Sequence, residues 1–181
     1  PHGCSPRFRP RAPADISAAL ADHGLEPGRY ALYVGTVEPR KNIACLLDAY
    51  ESLPRALRQA RPLVLSGDFG WNSEALHQRM RTARQQGWVQ YLGYVPDTLL
   101  PALYAGARVF VYPSRYEGFG LPVLEAMASG TPVVCSDIPP LVEVAADSGL
   151  MAAVADVDGL RAAIEQALTD DDWWQAAREA G

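Results

Sequence analysis

Residues 109–135 read VFVYPSRYEGFGLPVLEAMASGTPVVC, and this stretch decides the fold. The segments 109–112 and 132–135 are short apolar runs, typical of strands buried on both faces of a sheet. Between them the sequence predicts a helix over 122–128, with Pro122 suited to its first turn. A strand, a helix and a second strand in this order predict a βαβ unit with two parallel strands.

The same alternation extends along the chain in both directions. Apolar runs predict further strands at 30–34, 62–66 and 88–92, and a last edge strand at 150–153. Helical spacing predicts helices over 15–23, 42–53, 73–86, 97–105, 140–146 and 158–169. Gly24 is expected to end the first of these helices and Asp97 to cap the fourth. The tail is predicted to begin another helix after a solvated turn at 170–172. The sequence therefore predicts an α/β domain with a doubly wound, Rossmann-like parallel sheet.

Composition excludes several classes of protein. A chain of 181 residues suits one domain, and a net charge of −5 argues against a general nucleic-acid binder. Three cysteines without a C-x-x-C pair favour neither a zinc site nor a disulfide framework, and they indicate a reducing compartment. No apolar run is long enough to predict a membrane span. Residues 1–14, rich in proline and arginine, are interpreted as the remnant of an interdomain linker, and 15–181 as the folded domain.

Two carboxylates flank a glycine-rich turn after the strand at 109–112. Glu117 and Glu125 lie eight positions apart, with Gly118, Phe119 and Gly120 between them. Glycines beside a helix start let a ligand approach the backbone, and the unpaired N–H groups of a first turn favour anions. Glu125, expected in that first turn, is suited to accept hydrogen bonds from sugar or ribose hydroxyls. The alternatives are favourable helix electrostatics for either glutamate and a plain tight loop for the glycines.

A basic pair follows the first predicted strand. Arg40 and Lys41, the only lysine of the chain, open the predicted helix 42–53. Two cations at this point could neutralise a diphosphate. A solvated pair is the alternative, but a helix start is an unfavourable place for cations, which favours a functional role for Lys41 above all. Ser114 is a candidate ligand for phosphate or sugar, and equally a satisfied loop residue.

Glu117 and Glu125, with the run GFGLP between them, resemble the E-x₇-E signature of retaining glycosyltransferases of the GT-B fold, and most closely the large family-four group. The resemblance covers nearly the whole chain. Its other blocks are VGTVEPRKN at 34–42, LGYV at 92–95, EAMASGTPVV at 125–134, SD at 136–137 and EV at 143–144. His2 and Gly3 resemble the end of the linker that leads into the C-terminal domain of this family.

The resemblance implies that the chain is the nucleotide-sugar-binding half of a two-domain enzyme. An N-terminal domain that the chain lacks would bind a sugar or lipid-linked acceptor. The resemblance assigns Lys41 to the leaving diphosphate, and we expect Glu117 to hold hydroxyls of the donor sugar and Glu125 to hold the ribose. Thr36 stands where many relatives carry arginine, and the turn at Val95 is implied to line the base through backbone groups. The candidate substrate-binding set is Gly35, Thr36, Arg40, Val95, Ser114, Gly118, Phe119, Gly120, Leu121 and Glu125.

The implied reaction is transfer of a hexose from a nucleoside diphosphate to an acceptor hydroxyl with retention at the anomeric carbon. The block 34–42 looks most like mannosyltransferases that build bacterial surface polysaccharides, so GDP-mannose is the expected donor. Neither a metal nor another cofactor is implied, because the D-x-D at 156–158 is interpreted as a helix cap. We expect a cytoplasmic protein that is inactive without its other half, and contact of the whole protein with the inner face of the membrane is left open.

Two alternatives remain at this point. The first is a non-catalytic nucleotide-binding or interaction domain, since a fold alone does not fix a function. The second is a GT-B enzyme of other chemistry, such as an epimerase or a phosphorylase. A phosphorylase would need a lysine for pyridoxal phosphate, and Lys41 is already assigned to the diphosphate.

Overall fold

Six parallel strands form a single sheet in a computed structural model, which describes residues 3–181. The predicted linker match at His2 therefore lies outside the described residues. The strands are β1 (Ala31–Val34), β2 (Leu63–Ser66), β3 (Val89–Gly93), β4 (Val109–Tyr112), β5 (Val133–Ser136) and β6 (Leu150–Ala152). The helices are α1 (Pro13–Ala21), α2 (Ile43–Glu51), α3 (Arg55–Ala60), α4 (Glu74–Gln85), α5 (Leu100–Gly106), α6 (Leu121–Ala128), α7 (Pro139–Ala145), α8 (Val157–Thr169) and α9 (Asp171–Ala180).

The strand order is β3-β2-β1-β4-β5-β6, which confirms the predicted doubly wound sheet. The chain moves outward from β1 through β2 to β3, then returns past them to β4 and continues the other way. Because such crossovers are right-handed, the helices before and after this return cover opposite faces of the sheet. The order reverses between β1 and β4, whose residues pair as Ala31 with Val109 and Leu32 with Phe110. Ligands of open α/β sheets bind at the carboxyl ends of strands beside such a reversal.

Helices on both faces bury the sheet completely near its centre. α2 packs against α8, α1 packs against α5, and α6 packs against α7. The side chains of β1, β2, β4 and β5 are almost all buried, which explains why these strands read as continuous apolar runs rather than alternating ones. β6 lies at one edge of the sheet, as predicted.

A glycine directly follows each of the first two strands, and the second of them leaves no room for a side chain. Gly67 has a φ of +135°, and a Cβ built on it would lie 2.1 Å from the carbonyl oxygen of Gly35. The loops that follow β1 and β2 therefore touch backbone to backbone. This close approach fixes the loop that carries Arg40 and Lys41.

The observed elements correct several predictions. Asp97 does not cap a helix: α5 begins at Leu100, because residues 96–99 form a turn closed by the Leu99 N–H and the Pro96 carbonyl. Asn42 does not begin a helix either, since its φ of 59° is left-handed and α2 starts one residue later.

Both ends of the chain also differ from expectation. The turn predicted at 170–172 is the start of α9, whose N-cap Asp170 accepts from the Trp173 N–H at 2.9 Å. α1 begins at Pro13, inside the segment interpreted as linker, while the boundary at residue 14 itself stays a prediction. Helix α3 was not predicted. Asp156 caps α8, as expected of the D-x-D. Among residues 3–181, every helix is too short or too polar to cross a bilayer.

Candidate active site

The reversal between β1 and β4 brings two of the predicted loops together. One follows β1 and carries Arg40 and Lys41 in a short 3₁₀ turn, Pro39–Lys41. The other follows β4 and carries Ser114 and Glu117. The Arg115 N–H donates to the Arg40 carbonyl at 2.9 Å, so the loops are joined through their backbones. Residues far apart in sequence thereby form one cluster at the carboxyl edge of the sheet.

The centre of this cluster is an ion pair between Lys41 and Glu117. The Lys41 Nζ lies 2.6 Å from Glu117 Oε1 and 2.6 Å from the Tyr112 hydroxyl. The two charged side chains are only 9% and 10% exposed. The predicted cation and the predicted carboxylate are therefore direct partners, and they are held just below the surface.

Two neighbours complete the surroundings of Glu117. The hydroxyl of Ser114, which is fully buried, lies 2.6 Å from Glu117 Oε1. The Arg40 guanidinium pairs with Glu38 at 2.7 Å, approaches Glu117 at 3.5 Å and donates to the Tyr116 carbonyl at 3.0 Å. Ser114 thus has the contacts of a residue that orients Glu117. These contacts agree with its interpretation as a satisfied loop residue.

These contacts set the charge of Glu117. Burial alone would raise the pKa of its carboxyl, but hydrogen bonds from Lys41 and Ser114, together with the charge of Lys41, outweigh burial and lower it below its ordinary value. The side chain is therefore ionised at neutral pH. Burial also raises the pKa of Tyr112, which keeps that hydroxyl protonated beside the pair.

Asn42 holds three loops of this edge in place. Its amide nitrogen donates to the Pro113 carbonyl at 3.1 Å and to the Val154 carbonyl at 2.8 Å, and its Oδ1 accepts from Arg115 Nε at 3.1 Å. The side chain is buried. The loops after β1, β4 and β6 therefore meet on one amide, directly beside the Lys41 and Glu117 pair.

The glycine-rich turn leads into α6 as the sequence predicts. Gly120 is the N-cap with a φ of +92°, and a Cβ there would lie 2.6 Å from a methyl group of Leu141. Gly118 is exposed, with open space where a side chain would be, and Phe119 is half-buried. The start of α6 can therefore be approached from the Gly118 side, although Pro122 has no N–H and the Val123 and Leu124 N–H groups already donate to the Gly120 carbonyl at 3.0 and 3.2 Å.

Glu125 is in the second turn of α6, not in the first, because the helix begins at Leu121. It lies on the side of the turn facing α5, where the Tyr104 hydroxyl donates to Glu125 Oε2 at 3.0 Å. Burial raises the pKa of the Glu125 carboxyl above its ordinary value, and the hydrogen bond from Tyr104 opposes part of this effect. The two glutamates thus belong to separate centres, one bound to lysine and one bound to tyrosine.

The other candidates line the same edge. Gly35 ends β1 and Thr36 is exposed beside it, with its carbonyl oxygen accepting from the Tyr33 hydroxyl at 3.0 Å. Leu121, at the first position of α6, is exposed. Val95 follows β3 and its side chain is buried, so it could contact a ligand only through its backbone, as its predicted role requires.

Sequence reasoning missed Tyr112, Tyr104 and Asn42. Both tyrosines lie in segments that were interpreted only as buried strand or helix, although the hydroxyl of a buried tyrosine needs a polar partner. The position of Tyr112 at the carboxyl end of a strand was the available signal. The helical spacing predicts a helix from Asn42, whereas the tolerance of asparagine for left-handed backbone is the signal that points to its observed φ.

Chemically, the arrangement offers a shielded ammonium, a helix start open to anions and two carboxylates of different environment. An ammonium and the partial positive charge of a helix N-terminus suit a phosphate or diphosphate, and carboxylates suit the hydroxyls of a sugar. Among residues 3–181, acidic, histidine and cysteine side chains do not gather in any group that could hold a metal ion.

Comparison with known proteins identifies the family of the chain. The family model for glycosyl transferases of group 1 matches residues 16–181. The "O-antigen chain mannosyltransferase B" of Escherichia coli is 52% identical over 178 residues, which are 98% of this chain and 47% of that protein. The "GDP-mannose:cellobiosyl-diphosphopolyprenol alpha-mannosyltransferase" of Xanthomonas oryzae pv. oryzae is 30% identical over 152 residues, which are 84% of this chain and 40% of that protein.

A solved structure shows the same fold. The crystal structure of WaaG, a glycosyltransferase involved in lipopolysaccharide biosynthesis, superposes with a TM-score of 0.84 at 22% identity, over 99% of this chain and 49% of that one. The chain thus spans about half the length of the relatives that it matches.

Proposed function

The chain belongs to the glycosyl transferases of group 1, and from this premise we propose that it supplies the donor-binding half of a retaining mannosyltransferase that uses GDP-mannose. The transferase class follows from the family, whereas donor, sugar and stereochemistry are our proposal. The relatives named as mannosyltransferases support the sugar, and the Xanthomonas relative, named for GDP-mannose, supports the nucleotide.

The observation that carries the proposal is the Lys41 and Glu117 pair at the reversal of the sheet. Lys41 lies 2.6 Å from Glu117 Oε1, so a cation and a carboxylate stand side by side where the donor diphosphate and its sugar would also be neighbours. Lys41 would accept the charge that gathers on the departing diphosphate. Glu117 would then hold hydroxyls of the sugar ring. Such preorganised groups typically contribute several kcal/mol to a transition state.

The helix start after Gly120 would share the diphosphate. The N-terminus of α6 carries partial positive charge from the helix dipole, and Gly118 leaves room for a phosphate to approach. Glu125 would accept hydrogen bonds from the ribose hydroxyls. These roles place the sugar near β1 and β4, and the nucleoside toward α5 and the loop after β3.

In the proposed reaction the bond between the anomeric carbon and the phosphate oxygen breaks, and the acceptor oxygen bonds to the same face of that carbon. The proton of the acceptor hydroxyl passes to the departing phosphate oxygen. Same-face attack of this kind retains the configuration and requires no covalent bond to Glu117. Lys41 and the helix start lower the barrier by stabilising the charge of the departing diphosphate.

The acceptor would come from the part of the protein outside this chain. Large apolar side chains are exposed at the carboxyl edge of the sheet, the same edge that carries the candidate site; they are Trp71, Tyr94, Tyr116 and Leu121. Apolar side chains in such positions often mark a surface that another domain or ligand covers. A sugar or lipid-linked acceptor, cytoplasmic location and contact with the membrane stay predictions of this proposal.

Calorimetric titration of the chain with GDP, UDP, ADP and dTDP tests the donor. We expect GDP to bind most tightly, and at about 100 times its Kd to raise the stability by about 2.7 kcal/mol in a thermal shift assay. Lys41→Met should weaken the binding of GDP. Arg79→Met should not, because it removes a half-exposed cation of α4 that pairs with Asp48. Tighter binding of another nucleotide would refute the donor, and the absence of binding to all four would contradict the donor-binding role.

A further inference from the structure

Tyr104 is buried in α5, and its hydroxyl reaches a residue on another helix. The side chain is 0% exposed, and its oxygen lies 3.0 Å from Glu125 Oε2. Within residues 3–181, this is the one hydrogen bond that the structure gives to the Glu125 carboxylate. A glutamate side chain with three rotatable bonds is thus anchored at its tip by a single phenol.

The phenol ring itself is held on two sides. The ring of Phe8, in the segment that precedes α1, packs edge-on against it with centroids 5.6 Å apart, and Phe110 of β4 packs at 5.2 Å. The Tyr104 backbone carbonyl accepts from the Thr131 hydroxyl at 2.5 Å. Because ring and backbone are both fixed, the position of the hydroxyl is set before any ligand arrives.

The anchor leaves most of the carboxylate available. An ionised carboxylate has about four acceptor positions, and Tyr104 occupies one of them, on Oε2. Oε1 and the remaining position on Oε2 are enough for the two O–H donors of a ribose diol. A carboxylate pinned at one oxygen presents the other at a constant place, which avoids the entropy cost of fixing the side chain on binding.

We propose that Tyr104 is a positioning residue that holds the Glu125 carboxylate ready for the 2′- and 3′-hydroxyls of the donor ribose. The inference rests on the proposed function, which assigns the ribose to Glu125. It adds that ribose recognition depends on a buried phenol in another helix, one that the sequence does not mark as part of the site.

The test compares ligands with and without the ribose hydroxyls. The unmutated chain, Tyr104→Phe, Glu125→Gln and Tyr30→Phe are titrated with GDP and with 2′,3′-dideoxy-GDP. Tyr30 is the matched control, since it is equally buried and its hydroxyl donates to the Leu103 carbonyl of the same helix at 2.7 Å. The quantity compared is the preference for GDP, which is the ratio of the two dissociation constants.

We expect Tyr104→Phe to reduce this preference about tenfold, which equals roughly 1.4 kcal/mol, and Tyr30→Phe to leave it within about twofold. Glu125→Gln should remove most of it, while affinity for the dideoxy ligand stays nearly constant. If the role of Tyr104 is purely structural, Tyr104→Phe should weaken the binding of both ligands by the same factor and leave the preference unchanged. Carboxyl NMR gives a second readout: Tyr104→Phe, unlike Tyr30→Phe, should raise the pKa of Glu125, because the opposing hydrogen bond is lost.

The outcomes separate the inference from the function on which it rests. If Glu125→Gln loses the preference and Tyr104→Phe keeps it, the inference is wrong and the ribose role of Glu125 stands. If Glu125→Gln keeps the preference as well, Glu125 does not bind the ribose, and both the role and the inference are overturned. If the unmutated chain binds neither ligand, the donor site itself is refuted.

Discussion

Replacing Glu117 by glutamine should make the chain bind GDP more tightly, although the proposal gives Glu117 a part in catalysis. Lys41 has its ammonium 2.6 Å from the Glu117 carboxylate and 2.6 Å from the Tyr112 hydroxyl, and it is only 9% exposed. A diphosphate must compete with the carboxylate for this cation. Glutamine keeps an oxygen that can accept the hydrogen bond but removes the competing charge.

The size of the effect follows from the bond that is weakened. Hydrogen bonds to charged groups contribute about 1.5–3 kcal/mol, and the amide retains part of this, so a gain of about 1 kcal/mol remains for the diphosphate. This corresponds to roughly fivefold tighter binding of GDP. The loss of repulsion between carboxylate and diphosphate acts in the same direction. The substitution should also lower the free energy of unfolding by about 1–2 kcal/mol, because the pair no longer attracts.

The assay is calorimetric titration with GDP and then with GDP-mannose. The gain should appear with GDP and be smaller with GDP-mannose, since the sugar loses its contact with the carboxylate. Glu38→Gln is the matched control, because Glu38 pairs with Arg40 at 2.7 Å, whereas the carboxylate partner of Lys41 is Glu117. Weaker binding of GDP to Glu117→Gln than to Glu38→Gln would refute the competition and with it the diphosphate role of Lys41.

Three further predictions test the fold and the charge of the site. Gly67→Ala should lower the free energy of unfolding in urea by about 3 kcal/mol, since its Cβ would lie 2.1 Å from a carbonyl oxygen. Gly118→Ala should lower it by less than about 1 kcal/mol, because the space around Gly118 is open. Trp174→Ala should lower the free energy of unfolding by about 2 kcal/mol, because the guanidinium groups of Arg108 and Arg178 lie 4.6 and 4.5 Å from the indole ring. Trp71→Ala should change stability little, since Trp71 is 72% exposed. The preference for GDP over its dideoxy form should fall as the pH drops toward the pKa of Glu125, because the carboxylate is then protonated. Since this pKa is raised, the fall should begin at a higher pH than for an ordinary glutamate, and Glu125→Gln should abolish it.

The strands and most helices follow from the sequence because apolar runs and helical spacing reflect burial directly. The two failures have different causes. Helix α3 has no buried residue, so it leaves no apolar pattern to detect. The helix expected from Asp97 was placed too early, because a good capping residue in isolation does not reveal the turn that Pro96 closes. In the second case a local preference gave way to a backbone hydrogen bond, which leaves no periodic pattern in the sequence.

The site was predictable as a place but not as a set of contacts. Topology alone brings the loops after β1 and β4 together, so Lys41 and Glu117 could be expected on the same edge. Their direct pairing depends on side-chain conformations that are set by Ser114 and by Tyr112, which are buried. The hydrogen bonds of the Tyr112 and Tyr104 hydroxyls cannot be predicted from the sequence, because the apolar ring is already a sufficient reason for a tyrosine to be buried.

The pairing has a consequence for how the proposed reaction is switched on. The four charged groups of the cluster, Glu38, Arg40, Lys41 and Glu117, sum to no net charge, and each contacts an opposite one. Without a ligand, the site therefore presents little field to a departing diphosphate. A bound diphosphate that draws Lys41 away would expose the charge of Glu117. The sugar hydroxyls, arriving with the same ligand, would then donate hydrogen bonds to that carboxylate. Binding of the donor, in this view, separates an ion pair into the cation needed at the phosphate and the carboxylate needed at the sugar.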